Sequence, residues 1–301
     1  MAVNPIVRSL GPGVAAYLQL PGGWFLNNAG WLSGTEATLL IDTCATEART
    51  RDLLAALHTH TPAEQRPVTV ALTHAHGDHA HGAGLISRLG GTVLCRPTAA
   101  TTIAAGPHTY PELFSYTDWG DITPLSDVQT ITARTTLDLG PRRSAEIVPV
   151  PNTAHTDGDL VVWIPREGVL FPGDLVFTDV TPLAAHGSIT GWLAALDWLA
   201  DFEATHIVPG HGAMGAGPTR GLIAPLVDYF HWLLDVVHHG DPDFTALHHH
   251  ACTRWHSWLD SERHAANLRI AHAEIHGYRC DGSTAMAAMT TFTGGTIPLN
   301  L

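Results

Sequence analysis

The stretch Thr73-His74-Ala75-His76-Gly77-Asp78-His79 stands directly after the apolar run Val68 to Leu72. Three imidazoles and one carboxylate on the loop that follows a short β run form a metal-ligand pattern. Neutral imidazole nitrogen and carboxylate oxygen suit zinc at about 2.0–2.2 Å, and a catalytic zinc keeps one position free for water. The alternate spacing of His74 and His76 turns both side chains to one side of an extended segment. Gly77 permits a sharp turn, so Asp78 and His79 can face a second ion across the bend.

Outward from this stretch, three further apolar runs each end in one ligand candidate: His155 in Pro151-Asn152-Thr153-Ala154-His155-Thr156, Asp174 in Phe171-Pro172-Gly173-Asp174, and His211 in Pro209-Gly210-His211-Gly212. Each sits beside glycine, proline or threonine, which lets all three converge on one edge of a sheet. Asp157 and Asp159 read as turn and capping chemistry beside His155. The run His248-His249-His250, with His256 and His264, reads as the coat of a solvated helical face.

The rest of the chain has a layered α/β grammar. Short strands are expected at Ala15 to Leu20, Trp24 to Leu26 and Ala37 to Ile41, then a helix from Ala45 to His58 with Pro62 and Pro67 as breakers. The second half repeats the pattern, with strands at Glu146 to Val150, Leu160 to Ile164, Val169 to Phe171 and His206 to Val208. Ser188 is the expected N-cap of a helix from Ile189 to about Phe202. Leu222 to His239 and Phe244 to His276 read as helical, the first stopped by Gly240. Residues 1–280 are expected to form a single domain ending in helices, and 281–301 a mobile tail.

Composition limits the function classes. The chain has 301 residues, 45% of them apolar and 14% charged, enough for a substantial core. Its formal charge of -13 argues against nucleic acid as a partner. All 15 basic residues are arginine, which removes Schiff-base and P-loop lysine chemistry. No apolar run is long enough for a membrane span and no basic segment precedes an apolar one near Met1, so a soluble cytoplasmic protein is expected. Cys44, Cys95, Cys252 and Cys280 are widely spaced and are expected to be reduced. No G-x-S-x-G elbow is present.

The order H-x-H-x-D-H, then H, D and H, resembles the metallo-β-lactamase superfamily from about Val14 to His276. The resemblance implies an α/β fold, the four-layer αββα sandwich, with a dinuclear zinc site at one edge. It implies that His74, His76 and His155 bind one zinc ion, that Asp78, His79 and His211 bind the other, and that Asp174 bridges them. Asp42, at the end of the first long strand, matches the family's buried aspartate behind the ligands, and His81 is expected to pack there as well. Class B1 β-lactamases place a cysteine where this chain has Asp174, which argues against penicillin hydrolysis. The aspartate is instead like that of the superfamily's thioesterase, lactonase and phosphodiesterase branches.

The chemistry implied is attack on an acyl carbonyl by water whose pKa the ions lower, with Asp78 orienting the nucleophile and passing a proton to the leaving group. His186, on a loop expected to overhang the ligands, is a candidate for catalysis and for substrate contact. Trp24, Phe25 and Phe177 are candidates for the substrate wall, with Phe114, Tyr116 and Trp119 near them. Pro21 to Gly30, Asp42 to Glu47, Asp118 to Asp121 and Gly187 to Gly191 together resemble the actinorhodin-type cyclase/thioesterases of aromatic polyketide pathways. That narrower resemblance implies a poly-β-ketone on an acyl carrier protein, undergoing aldol ring closure, thioester hydrolysis or both. Arg134, Arg142 and Arg143 are then the candidate docking patch. The alternatives are a thioester or lactone hydrolase acting on free small molecules and a di-iron redox protein.

Overall fold

The run Val14–Leu18 is buried along its whole length, with Val14, Ala16 and Leu18 entering one core and Ala15 and Tyr17 another. A strand covered on both faces needs a packing layer on each side. The structure, a computed structural model, describes residues 4–61, 67–238 and 240–301. One sheet holds seven strands in sequence order: β1 (Ile6–Gly11), β2 (Val14–Leu18), β3 (Ala29–Ser33), β4 (Thr38–Ile41), β5 (Val68–Ala71), β6 (Thr92–Cys95) and β7 (Gln129–Thr130). The first four pair antiparallel, and β4 to β7 run parallel. The other sheet contains β8 (Thr135–Asp138), β9 (Ser144–Pro149), β10 (Leu160–Ile164), β11 (Val169–Phe177), β12 (His206–His211) and β13 (Gly215–Ala216), in the order β13-β12-β11-β10-β9-β8. Here β11 and β12 are parallel and the other neighbours antiparallel.

Parallel neighbours require crossovers, which the helices supply. In chain order these are α1 (Glu47–His60), α2 (Gly77–Ala80), α3 (Ala83–Arg88), α4 (Pro97–Ala105), α5 (Ile189–Leu199), α6 (Thr219–Val236), α7 (Phe244–Arg254), α8 (Arg263–His276), α9 (Gly282–Ala287) and α10 (Thr290–Thr293). Leu53, Ile86 and Ile103 of the first helices pack with Leu40, Val70 and Val93 of the first sheet. Leu32, Leu39 and Ile41 meet Ile147, Val162 and Phe171 between the sheets. Trp192, Phe230 and Leu268 cover Val161 and Leu170 on the far side. The layers are therefore helix, sheet, sheet, helix, as expected. Each large side chain buried this way contributes roughly 1.5–3 kcal/mol against conformational entropy.

Several local expectations are corrected. Trp24 to Leu26 is a turn closed by the Leu26 amide on the Gly23 carbonyl, with Phe25 at φ 58°, rather than a strand. The ring of Phe25 packs against Phe114 and Trp119, and this packing replaces ladder pairing. Strand β11 continues to Phe177, six residues beyond the expected end. The helix expected over Phe244 to His276 is broken, because Leu259 leaves the helical path to pair with Asp179 and Thr181. The tail expected to be mobile carries α9 and α10 and buries Met286 and Met289 in the chain's own core. Its apolar Ala and Met residues find a surface there. The Pro62 breaker and the His239 helix end lie outside the described residues. Ser188 does cap α5, accepting from the Gly191 amide. No helix among the described residues is long and apolar enough to cross a membrane.

Candidate metal centre

Strands β4, β5 and β12 and the β9–β10 loop bring their following residues to one edge of the sandwich, and β11 places Asp174 there before it ends. Parallel pairing of β4 with β5 sets Asp42 beside Thr73, and Asp42 adopts φ 60°, a left-handed backbone that Asp tolerates better than most residues. Its Oδ1 accepts from the Thr73 amide at 2.7 Å. Its Oδ2 accepts from the Thr73 hydroxyl at 2.8 Å and lies 2.8 Å from His79 Nδ1. An ionised carboxylate only accepts, so His79 Nδ1 carries the proton and Nε2 presents a lone pair inward.

The same reasoning fixes two more rings. His211 Nδ1 lies 2.8 Å from the Gly22 carbonyl oxygen and must donate to it. Gly22 is required there, since at φ 92° a Cβ would overlap the Gly212 amide nitrogen. His74 Nδ1 is 3.1 Å from the Thr73 hydroxyl, whose one proton goes to Asp42, so His74 Nδ1 donates as well. His76 turns Nδ1 toward His155 Nε2 and Nε2 toward His186 Nδ1, each at 2.9 Å.

The inward lone pairs converge in two groups, His74, His76, His155 and Asp174, and Asp78, His79 and His211. Asp174 faces both. Its Oδ2 lies 3.4 Å from His155 Nε2 and 3.8 Å from His74 Nε2, and its Oδ1 lies 3.0 Å from His79 Nε2 and 3.6 Å from His211 Nε2. Asp78 Oδ2 is 3.0 Å from His211 Nε2. Lone pairs of neutral rings and carboxylates repel one another, and His74 Nε2, His79 Nε2 and Asp174 Oδ1 are buried without a hydrogen-bond partner. Unpaired buried acceptors of this kind cost free energy unless a cation or proton lies between them. The donor set, all nitrogen and carboxylate oxygen, fits two divalent ions such as zinc. These are the only such groups among the described residues.

Electrostatics agree with that reading. Burial holds His74 and His76 well below the usual imidazole range and His155 down to about 4, so all three are neutral at pH 7, the form a metal ligand requires. Burial pushes the Asp174 carboxyl upward, but His211, His79 and His74 hold it well below the usual range. Burial depresses His79, yet Asp174, Asp42 and Asp78 together raise it well above the ordinary value. Burial of Asp42 raises its carboxyl against the opposing influence of His79.

Above the two groups lies a cavity of about 50 Å³. His76, Asp78, His155, Asp174 and His211 are on its lining, together with Trp24, Phe25, Phe177 and His186. Phe114 joins them, while Trp119 packs behind Phe25. Tyr110, Leu183, Arg263 and Met286 also line it, and none of these was a sequence candidate. A groove of about 460 Å³ adjoins it and shares His76, Tyr110 and His186. His81 lies outside the cavity, with Nδ1 on the Ala45 carbonyl and its ring edge against Trp119. Asp159 accepts from the amide and hydroxyl of Thr156, the turn chemistry expected of it. Arg142 and Arg143 sit at the opposite end of β9 from His155, about 20 Å along the strand. Arg143 is paired with Glu167 and Arg134 with Glu146.

A family model described as the metallo-beta-lactamase superfamily matches residues 22–211, a span that includes all seven converging side chains. A metallo-beta-lactamase type 2 of Bacillus cereus is 25% identical over 202 residues, covering 65% of this chain and 70% of the relative. A metallo-beta-lactamase type 2 of Bacillus sp. (strain 170) is 26% identical over the same shares. Among solved structures, a metallo-beta-lactamase from Pontibacter korlensis superposes with a TM-score of 0.61 at 22% identity, covering 76% of this chain and 99% of that one.

Proposed function

Since the chain belongs to the metallo-beta-lactamase superfamily, we propose that it is a dinuclear zinc hydrolase that cleaves an activated acyl bond, a thioester or lactone, in a free small molecule. The observation that carries this reading is Asp174, which turns one carboxylate oxygen to each group of inward lone pairs. In it, His74, His76 and His155 would hold one ion and Asp78, His79 and His211 the other, with Asp174 shared between the two groups. Two such ions supply Lewis acidity toward an acyl oxygen and water of lowered pKa. Asp78, on the lining of the cavity, would orient the attacking water and return its proton to the leaving group. Trp24, Phe25, Phe177 and His186 exclude bulk water and fix the acyl group. A cavity of about 50 Å³ takes little beyond the reacting group, so the remainder of the substrate lies in the adjoining groove.

The aromatic wall favours a second reading, a planar polyketone on an acyl carrier protein undergoing ring closure or release. Of the arginines expected to dock a carrier, Arg142 and Arg143 lie at the end of β9 far from His155, and Arg134 and Arg143 already have carboxylate partners. That arrangement supports the free-substrate reading.

The test is a substrate panel on zinc-loaded protein: coenzyme A and glutathione thioesters, lactones, a chromogenic β-lactam, and the same acyl groups on a carrier protein. Free thioester or lactone turnover that disappears on chelation and returns with zinc supports the proposal. Turnover of carrier-bound substrate alone would favour the second reading, and β-lactam turnover alone would overturn both. An iron-dependent visible band with oxygen reduction would replace them with a redox function.

A further inference from the structure

The loop after β11 carries His186 and has little regular structure of its own, yet it is tied down along its length by residues from one later segment. Leu259 donates its amide to the Asp179 carbonyl at 3.0 Å and accepts the Thr181 amide at 3.0 Å. Arg263 Nη1 donates to the Thr181 carbonyl at 2.8 Å. Asn267 donates to the Pro182 carbonyl at 2.7 Å and accepts the Ala184 amide at 2.9 Å. Glu274 accepts from the amides of Ile189 and Thr190 at 2.8 and 2.9 Å, and from the hydroxyls of Ser188 and Thr190.

The order of attachment is collinear: successive loop residues meet successive residues of the 259–274 segment. Arg263, Asn267 and Glu274 fall on one stripe of α8, because steps of four and seven residues nearly complete whole turns. The first two are almost fully buried, at 2% and 0% exposure; Arg263 gives Nη1 to the loop while its Nη2 pairs with Asp260, and both polar atoms of Asn267 bond the loop. The Tyr229 hydroxyl holds Asn267 Nδ2 from behind at 2.9 Å. All the anchoring residues lie beyond residue 211, where the family match ends.

The product of this lacing is one contact. His186 Nδ1 sits 2.9 Å from His76 Nε2, on the side of the ring away from His155. On its other side His186 meets the start of α9, where a Cβ on Gly282 would fall 2.9 Å from His186 Cδ2. We propose that α8 is a splint for the metal centre: its polar stripe fixes the loop so that His186 holds the outer nitrogen of His76 and keeps His76 Nδ1 aimed at the first ion. His186 is thus a positioning residue as well as part of the cavity wall. An outer hydrogen bond of this kind fixes the tautomer and rotation of a ligating imidazole, and its loss typically weakens metal binding by roughly 10- to 100-fold.

The inference rests on the reading that the first group binds an ion, and a metal titration of the native chain tests that premise separately. The experiment measures zinc affinity by chelator competition, and cobalt binding by visible absorption, for native protein, His186→Ala, Asn267→Ala and the double variant, with thermal unfolding of each ion-free form. His186→Ala is expected to bind the first ion at least 10-fold more weakly. Asn267→Ala is expected to lose at least threefold, and the double variant to bind no more than twofold more weakly than His186→Ala, because both act through one contact. Glu274→Gln replaces Asn267→Ala if the latter fails to fold. Affinity of His186→Ala within twofold of native overturns the proposal, as does an Asn267→Ala loss that persists in full on the His186→Ala background. A loss confined to thermal stability would assign α8 a structural role only, and a native chain that binds no ion would overturn this inference together with its premise.

Discussion

Replacing Asp42 by Asn changes one atom and reverses the hydrogen-bond logic behind the second group of converging side chains, Asp78, His79 and His211. Asn tolerates the φ of 60° at this position, so the backbone can remain in place. Its amide oxygen can take the Thr73 amide as Oδ1 does now, which leaves NH2 facing the Thr73 hydroxyl and His79 Nδ1. A donor at that place requires His79 Nδ1 to accept, which moves the ring proton to Nε2, the atom turned toward Asp174 at 3.0 Å. His79 then cannot ligate without restoring the original tautomer and losing the charge-assisted bond. That bond contributes about 1.5–3 kcal/mol, or roughly 10- to 100-fold in affinity for one ion of the two. The ion-free protein should lose less, because a buried carboxylate whose pKa burial has raised is itself a cost that Asn removes. Competition with a metallochromic chelator, alongside thermal unfolding of stripped protein, separates the two effects. Binding of both ions by Asp42→Asn within threefold of native would refute the tautomer argument.

Gly210→Ala places a Cβ on Asp174 Oδ1 and 2.9 Å from the Asp174 amide nitrogen, so a loss of about 1–3 kcal/mol and failure to retain the second ion are expected; Gly221→Ala in α6, with open space around it, should leave metal content at native stoichiometry. Met286→Ala opens the cavity wall and should raise the preference for longer over shorter acyl thioesters by roughly 10-fold in kcat/KM, whereas an unchanged ratio would remove α9 from the substrate site. His264 and His248, expected on a solvated face, are instead buried, His264 against the Tyr229 hydroxyl, and burial lowers His264 to about 3 from 6.5. The unfolded chain therefore takes up this proton at higher pH than the folded one, and stability falls as pH drops from 6.5 toward 3. His264→Gln should lose roughly 3 kcal/mol less than native between pH 6.5 and 4, measured by urea unfolding of stripped protein; parallel curves for the two proteins would show that His264 does not contribute.

The converging side chains were legible because most stand at or just after the end of an apolar β run, and His74, His76, Asp78 and His79 follow a pattern that few other roles explain. Asp174 was identified although β11 continues past it: its register shifts near Gly173, where φ of 56° turns the chain, and the Phe-Pro-Gly-Asp motif carried that information. The supports were harder to see. Gly22 reaches His211 across 189 positions, and Asn267 reaches Ala184 across 83, so no local spacing connects them. Arg263 and Met286 read as helix and tail residues until folding brings both to the cavity. The turn at Trp24 and the break before α8 share one cause. Both segments have enough local propensity for regular structure, but side-chain packing at Phe25 and strand-like pairing at Leu259 outweigh it.

The most direct measurement is a zinc titration of chelator-stripped protein, followed by hydrolysis of a free acyl thioester at each added equivalent. Activity should be absent at the start, rise with zinc and saturate by two equivalents per chain. Full activity before any zinc is added, or saturation that ignores the number of ions bound, would contradict a catalytic centre built from His74, His76, Asp78, His79, His155, Asp174 and His211.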